Sequence, residues 1–514
     1  MIIYLGPMAE NNPSNNTADN NGNLGINPVS ASDSPSQANT VETSSQGGEI
    51  FNGNINKISK ELDKDKKSND KAAASAANGA ASSQAKGDKE EEDDKEKKKL
   101  GFKETFFLAF GGQAPFISLL TFGTVMISMV GVAGAFAMII ATFVVLINGL
   151  VVYVMSSKFK RGGGYYIYAF YSLTSKLGLE TGWSYFLYSL AYGGALLVGG
   201  AYVLFTFTGI NQTFLALVVA VIASAFVLKG IKISAKYAMV MSIIEITVII
   251  ALSIFFLNTS HWHFYDPISF PALLFTAVIF GLGIPTGYGS IAPLSSDIKD
   301  STRTIGKASI SVLLVGGFIA AFFFYSLGAL SFTGNVIELM AVKFGIIGAI
   351  LIGFIALNDG TLGGMAYMIA NSRTFSAMSS DKKFPTIFSI NINDKPILSE
   401  IFIVMVFVIV IVSVTQFIGL YAAFIALGAL AGLTNLVVHI SAGISLARIS
   451  IKKLHKRIVE FGIGFLASLL SFIVLVFSLP GIDKYTVYLF FGWIILGFLY
   501  SEALDMANDV TDDS

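Results

Sequence analysis

A succession of long apolar segments constrains the fold of this chain more than any other feature. From Gly101 onward the sequence contains about 12 apolar segments, each long enough to cross a bilayer as a helix. Their approximate limits are 104–124, 130–156, 181–208, 212–228, 237–257, 271–293, 307–330, 344–371, 398–416, 418–446, 459–479 and 484–504. The composition, 54% hydrophobic and 13% charged, agrees with this pattern. The sequence therefore predicts an all-α polytopic membrane protein.

The lysine and arginine residues of the loops support this number of spans. If the N-terminus lies inside, the loops after the even-numbered spans carry most of these basic residues. Lys343 and Lys484 alone fall in loops on the other side. Cytoplasmic loops are enriched in lysine and arginine. We therefore expect a multi-pass protein of the plasma membrane with both termini in the cytoplasm.

The first hundred residues have a different composition from the rest of the chain. Residues 1–100 are rich in Asn, Ser, Ala, Gly, Lys, Asp and Glu. Such a segment cannot bury enough apolar surface to offset its ordering entropy, so it is predicted to be a disordered cytoplasmic tail. Its end, residues 89–99 (KEEEDDKEKKK), is a block of mixed charge that is interpreted as a solvated leader, with a regulatory or partner-binding tail as the alternative. The transmembrane domain would then span 101–504, followed by a short cytoplasmic tail at 505–514.

Glycine and proline interrupt two of the apolar segments. The first break is 110–115 (FGGQAP), and the second break is 281–289 (GLGIPTGYG). Interrupted helices survive at membrane depth only where protein or a watery cavity surrounds them. Breaks in the first segment of each of two five-segment halves indicate an inverted-repeat secondary transporter. The two repeats would be about 101–257 and 271–446, with extra helices at 459–504.

Four further motifs resemble those of the amino acid-polyamine-organocation (APC) transporters, and they occur in the same order. Gly162–Tyr168 (GGGYYIY) resembles the Gly-Gly-x-Tyr-x-Tyr opening of the third helix, and Gly230–Lys236 resembles the segment before the fifth. Lys299–Ala308 is similar to the Lys-Asn-Pro-x-Arg-x-Ile-Pro-x-Ala motif after the sixth helix. Ser372–Met378 resembles the end of the eighth. The resemblance covers residues 101 to about 504 and identifies an amino acid permease type.

The chain also departs from the APC pattern at three places. It has Gly112-Gln113-Ala114 where members often have Gly-Ser-Gly, Gly287-Tyr288-Gly289 in place of Gly-Phe-Glu, and Ser301 in place of a proline. The resemblance implies a LeuT-like five-plus-five inverted repeat with discontinuous helices 1 and 6. It also implies alternating access to one central site. Substrates of the superfamily are mostly amino acids, and sometimes polyamines or other amines.

The two breaks are the predicted substrate site. An amino acid zwitterion needs donors for its carboxylate and acceptors for its ammonium, and an interrupted helix supplies both from its backbone. The predicted substrate-binding residues are Gly111, Gly112, Gln113, Ala114, Pro285, Thr286, Gly287 and Tyr288. The alternative is a proline kink with small-residue packing, as in ordinary membrane helices.

Two carboxylates fall near the middle of predicted spans, Glu245 in the fifth and Asp359 in the eighth. Ionisable groups at such depth are costly and are functional by default. The resemblance implies that both helices approach the first break. We therefore hypothesise that Glu245 or Asp359 carries a coupling proton. A second possibility is Na⁺ held by Asp359, Thr361 and first-break carbonyls, and a third is a structural hydrogen bond from a protonated acid.

The combined prediction is a secondary active transporter that moves amino acids across the cytoplasmic membrane by proton-coupled symport. An amino acid/amine exchanger of the same fold is the first alternative. A channel and a ligand-sensing receptor are the alternatives from other classes. The sequence has no phosphate-binding glycine loop or His-Glu-x-x-His motif, so we expect no enzyme activity, cofactor or metal. The expected partners are an amino acid, a proton or Na⁺, and the lipid bilayer, without nucleic acid, for a monomer or weak oligomer.

Overall fold

The fold is a bundle of helices, as the apolar segments predict. A computed structural model describes residues 99–392 and 395–512. Within these ranges there is no strand, and two isolated bridges pair Leu100 with Ile298 and Ile392 with Lys395. Residues 1–98 of the predicted tail (1–100) lie outside the described residues. The chain is an all-α polytopic membrane protein.

The α-helices of the described part of the chain follow one another with short connections. In order they are α1 (Phe102–Gln113), α2 (Pro115–Leu120), α3 (Phe122–Val130), α4 (Gly134–Lys158), α5 (Tyr165–Ser172), α6 (Ser175–Thr208), α7 (Gln212–Lys229), α8 (Ile231–Thr259), α9 (Leu274–Leu282), α10 (Ser301–Ala329), α11 (Val336–Ser380), α12 (Ile397–Ile418), α13 (Leu420–Ile451), α14 (Leu454–Ser478) and α15 (Lys484–Asp512). Short 3₁₀ helices at Thr286–Ser290 and Ala292–Leu294 follow α9.

Most predicted spans correspond to one of these helices. Within the described ranges, ten helices are long and apolar enough to cross a membrane. An eleventh candidate is the pair Leu274–Leu282 and Thr286–Leu294, which is bent by 50°. The remaining predicted span, 104–124, is divided into α1, α2 and the start of α3. The division at Ala114 is the predicted first break.

A further division at Thr121 was not predicted from the sequence. The Thr121 hydroxyl donates to the Ile117 carbonyl, and the Thr124 hydroxyl donates to the Leu120 carbonyl. The Thr121 N–H still donates to the Ile117 carbonyl at 2.9 Å, so this carbonyl accepts two hydrogen bonds. Hydroxyl groups that bond to the carbonyl four residues earlier often bend a helix. The first span therefore has an irregular residue at Thr121 in addition to the break at Ala114.

Several helix ends also differ from the predicted limits. Helix α6 begins at Ser175 rather than 181, because the Thr174 side chain caps it by accepting from the Leu177 N–H at 3.1 Å. Gly419, with φ of 78°, separates α12 from α13 close to the predicted boundary between the spans 398–416 and 418–446. Helix α15 continues to Asp512, so it includes most of the predicted tail 505–514.

Close helix packing positions the two breaks inside protein. Helix α1 packs against α8, α10 and α11. Helices α6 and α11 approach at Gly200 and Gly360, where an added Cβ would lie 2.9 Å from a backbone carbonyl oxygen of the opposing helix. Small residues permit this approach. The environment of the first break is therefore protein, as an interrupted helix requires. The inverted-repeat relation of the two halves stays a prediction.

Candidate functional site

The first break is a single left-handed residue between two helices. Ala114 has φ of 45° and ψ of 63°, and its N–H donates to the Gly111 carbonyl at 3.0 Å. Pro115 then begins α2, where its lack of an N–H costs nothing because the first N–H groups of a helix have no intrahelical partner. The Gln113 carbonyl accepts a hydrogen bond from the Ser118 hydroxyl at 2.8 Å. The chain therefore turns here without leaving this carbonyl unpaired.

At the second break, backbone carbonyls outside regular helix accept hydrogen bonds from tyrosine hydroxyls. Helix α9 ends at Leu282, and regular α-helical bonding does not resume before α10. Three carbonyls of this segment accept tyrosine hydroxyls: Gly283 from Tyr192, Thr286 from Tyr367 at 2.9 Å, and Gly289 from Tyr185 at 2.9 Å. These tyrosines belong to α6 and α11, so two long helices hold the irregular segment in place.

The two breaks lie against one another. A Cβ added to Gly287 would lie 2.5 Å from the Gln113 backbone nitrogen and 2.8 Å from the Gln113 Cβ. A Cβ added to Gly112 would lie 2.8 Å from the Ser290 Oγ. Tyr192 joins the two segments, because its hydroxyl donates to the Gly283 carbonyl and lies 3.4 Å from the Gln113 carbonyl oxygen. Glycine at 112 and 287 is what permits this contact.

All eight predicted substrate-binding residues are buried around this contact. The amide group of Gln113 has no hydrogen-bond partner among the described residues, and it faces α10, where a Cβ added to Gly316 would meet its Cδ at 2.6 Å. The Tyr288 hydroxyl is 2.8 Å from Nε2 of His439 in α13. The structure therefore brings the two predicted sets together.

Sequence reasoning did not identify the aromatic residues that line the second break. Tyr185, Tyr188 and Tyr192 lie on one face of α6, at helical spacing, and Tyr188 shares a hydrogen bond of 2.9 Å with Tyr367. His439 was not singled out either, because a lone histidine in an apolar segment has no distinctive pattern. The spacing of the three α6 tyrosines is a signal that the sequence did contain.

The two deep carboxyls predicted to bind the coupling ion are neighbours. Glu245 in α8 and Asp359 in α11 are both 0% exposed, and the two carboxyls are close enough to influence one another electrostatically. Oδ2 of Asp359 accepts a hydrogen bond from the Ile117 N–H at 2.6 Å. No donor from the described residues reaches Oδ1 of Asp359 or either oxygen of Glu245. In the described part of the chain, neither carboxyl has an ion-pair partner.

Thr361 points away from this pair. Its hydroxyl donates to the Leu357 carbonyl at 2.7 Å, and residues two positions apart on an α-helix do not share a face. Within residues 99–392 and 395–512, no group of three or more His, Cys, Asp or Glu could hold a metal ion. The structure thus places Asp359 with Glu245 and not with Thr361.

A buried ion-pair cluster lies near the end of the second irregular segment. Arg373 in α11 donates to Asp297 at 3.0 Å and to Glu400 of α12 at 2.7 Å. Next to Asp297, a two-hydrogen-bond bridge joins Leu100 to the same segment. The cluster therefore ties α11, α12 and the residues before α10 together.

Comparison with known proteins places this arrangement in a family. A family model described as "Amino acid permease" matches residues 105–505, which is most of the chain and includes both breaks and both deep carboxyls. No match was found among the curated proteins compared with the chain.

Proposed function

Since this chain belongs to the amino acid permease family, we propose that it is a proton-coupled amino acid symporter of the plasma membrane. Transport of amino acids by a multi-pass membrane protein follows from the family. The proposal adds the coupling ion, the residues that bind it, and a topology with both termini in the cytoplasm. It also assigns the substrate's main-chain groups to the two breaks.

The observation that carries the proposal is the proximity of two buried carboxyls, Glu245 and Asp359, of which three oxygens lack a donor among the described residues. Two ionised carboxylates in contact repel one another strongly where the dielectric is low. A single shared proton removes that repulsion and supplies the donor that the described surroundings of Glu245 lack, because a protonated carboxyl can donate to its neighbour. The pair is therefore built to bind one proton and to release it when its surroundings change.

Asp359 also connects the proton to the first break. An ionised carboxylate accepts a stronger hydrogen bond from the Ile117 N–H than a protonated one does. Proton binding therefore alters how firmly α11 holds the start of α2, which follows the break directly. A ligand shifts a conformational equilibrium by its difference in affinity between the two states. The proton thereby biases the same helix junction that the substrate is proposed to occupy.

The substrate's charged ends are proposed to bind the backbone at the breaks. The binding residues are Gly111, Gly112, Gln113, Ala114, Pro285, Thr286, Gly287 and Tyr288. Helix ends at an interruption present N–H groups for a carboxylate and carbonyls for an ammonium. The contact between Gly287 and Gln113 supports a single site shared by both breaks.

The orientation of Thr361 favours the proton over Na⁺. A Na⁺ ion between Asp359 and Thr361 would need oxygens from both on one side of α11, whereas residues two positions apart on an α-helix do not face the same side. Na⁺ coupling and exchange without net coupling are outcomes that the following experiment separates.

The test is uptake by purified protein in liposomes under an imposed gradient. A mixture of labelled amino acids is offered with an inward proton gradient, an inward Na⁺ gradient, or neither. We expect accumulation only with the proton gradient. Glu245→Gln and Asp359→Asn should lose accumulation while counterflow continues, and the control Thr361→Val should resemble the wild type. Accumulation driven by Na⁺ alone, or unchanged accumulation in both carboxyl variants, contradicts proton coupling through this pair.

A further inference from the structure

Four ring side chains form a cluster on one side of the second break. Tyr165 at the start of α5 stacks on Tyr185 of α6 at 5.4 Å between ring centroids and meets His439 edge-on at 5.2 Å. His439 in turn stacks on Tyr288 at 5.7 Å. These four residues, named the ring cluster here, come from α5, α6, the second break and α13. The cluster therefore borders the proposed backbone site directly, through Tyr288.

Two polar atoms of the ring cluster have no partner. The Tyr165 hydroxyl and Nδ1 of His439 are buried and make no hydrogen bond with the described residues. Asn435 lies one helical turn before His439 on the same face of α13, and its Oδ1 is also buried without a partner. Buried polar atoms in proteins nearly always have a hydrogen-bond partner. Three unmatched atoms beside the proposed backbone site are therefore available to a polar group of a ligand.

The surroundings of the ring cluster contain no matching charge. The hydrogen bonds and ring contacts of its four members, as far as the described residues show them, are with tyrosines, the Gly289 carbonyl and one another. A charged side chain placed there would lose its hydration without an opposite charge to replace it. A hydroxyl, amide or imidazole could use the unmatched atoms instead.

We propose that the ring cluster is the side-chain subsite of the transporter and that it selects amino acids with uncharged, hydrogen-bonding side chains. The inference rests on the proposed transport of amino acids through the two breaks. It adds the substrate class and assigns Tyr165 and His439 as the residues that determine it.

The experiment compares amino acids that differ by one polar group. In liposomes loaded with unlabelled substrate, counterflow of labelled tyrosine and threonine is competed by tyrosine, phenylalanine, threonine, valine, lysine and glutamate. We expect tyrosine to compete at least about tenfold better than phenylalanine, or threonine better than valine, because an unpaired buried polar atom is costly. Lysine and glutamate should compete poorly.

Single-atom variants link the preference to the ring cluster. Tyr165→Phe removes the unmatched hydroxyl. In this variant the polar and the apolar amino acid of a pair should compete about equally well. Tyr168→Phe is the matched control: its hydroxyl is also buried without a partner, and its ring packs on Phe159 and edge-on against Tyr165, but it is not a member of the ring cluster. If phenylalanine competes as well as tyrosine, and valine as well as threonine, for transport by the wild-type protein, the inference is overturned. This result does not depend on whether Tyr165→Phe folds. A preference that survives in Tyr165→Phe also overturns the inference. Absence of counterflow with every amino acid contradicts the proposed function itself.

Discussion

The Asp359 carboxyl accepts a hydrogen bond of 2.6 Å from the Ile117 N–H, although 242 residues separate the two. Helix α2 begins just after the first break, and Ala114, its N-cap residue, provides no side-chain cap. The first N–H groups of a helix need partners from outside the helix. Helix α11 therefore supplies a hydrogen-bond acceptor for the first turn of α2, and the geometry of the break depends on how these two helices pack.

Replacing Asp359 tests this dependence. Asp359→Ala leaves the Ile117 N–H without a partner, whereas Asp359→Asn retains a carbonyl oxygen that can accept from it. An unpaired buried donor costs about 1–3 kcal/mol. We expect the alanine variant to unfold at a lower temperature than the asparagine variant in a thermal unfolding assay in detergent. Equal melting temperatures for the two variants would show that the hydrogen bond does not stabilise α2.

Gly287 should be intolerant of any side chain. A Cβ at this position would lie 2.5 Å from the Gln113 backbone nitrogen, so Gly287→Ala must force the two breaks apart. We expect transport by Gly287→Ala to fall at least about tenfold in the liposome assay, because overpacking of this kind displaces backbone. Gly492→Ala is the control, since an added Cβ there meets nothing within 4 Å. Normal uptake by Gly287→Ala would mean that the breaks are not held in contact.

The helix order and the breaks were predictable because their signals are local. Segment length gave the spans, and the Gly-Gly and Ala-Pro pairs gave the first break at the residue where the structure has it, Ala114. The depth of Glu245 and Asp359 within their segments was also local. Their proximity to one another depends on how α8 and α11 pack together, which the sequence alone does not show.

The unpredicted features depend on partners that are distant in sequence. Tyr367 reaches Thr286 across 81 residues, and Arg373 reaches Asp297 across 76. A single sequence does not show which of many tyrosines or acidic residues will be adjacent in space. The irregular residue of the first span, Thr121, is marked by a hydroxyl bond to its own helix and not by glycine or proline. The substrate and coupling residues themselves stay predictions until transport is measured.

The tyrosine hydroxyls at the second break should contribute to its stability. Tyr367→Phe removes the donor to the Thr286 carbonyl and the bond to Tyr188. A buried carbonyl left without a donor should lower the free energy of unfolding by about 1–3 kcal/mol. Thermal unfolding measures this, with the exposed Tyr488→Phe as control. If both variants melt at the same temperature as the wild type, the Tyr367 hydroxyl is not needed to hold the second break in place.

The Arg373 cluster gives the largest expected effect on stability. Its guanidinium is buried between Asp297 and Glu400, with 6% of the side chain exposed. Arg373→Met would leave two carboxylates, one in α12 and one in the segment before α10, without their shared cation. Removing one partner of a buried ion pair typically costs about 3–5 kcal/mol.

Arg303 supplies the matched control, because it pairs with Asp300 at 3.9 Å while 80% of its side chain is exposed. Exposed pairs of this kind contribute about 0–1 kcal/mol, so Arg303→Met should melt close to the wild type. Arg373→Met should melt far below it, and Arg373→Met combined with Glu400→Gln should recover part of the loss, because one of the two unpaired charges is then gone. The recovery separates the electrostatic cause from lost packing: if the double variant is no more stable than Arg373→Met, the arginine stabilises this end of α11 through its volume and not through its charge.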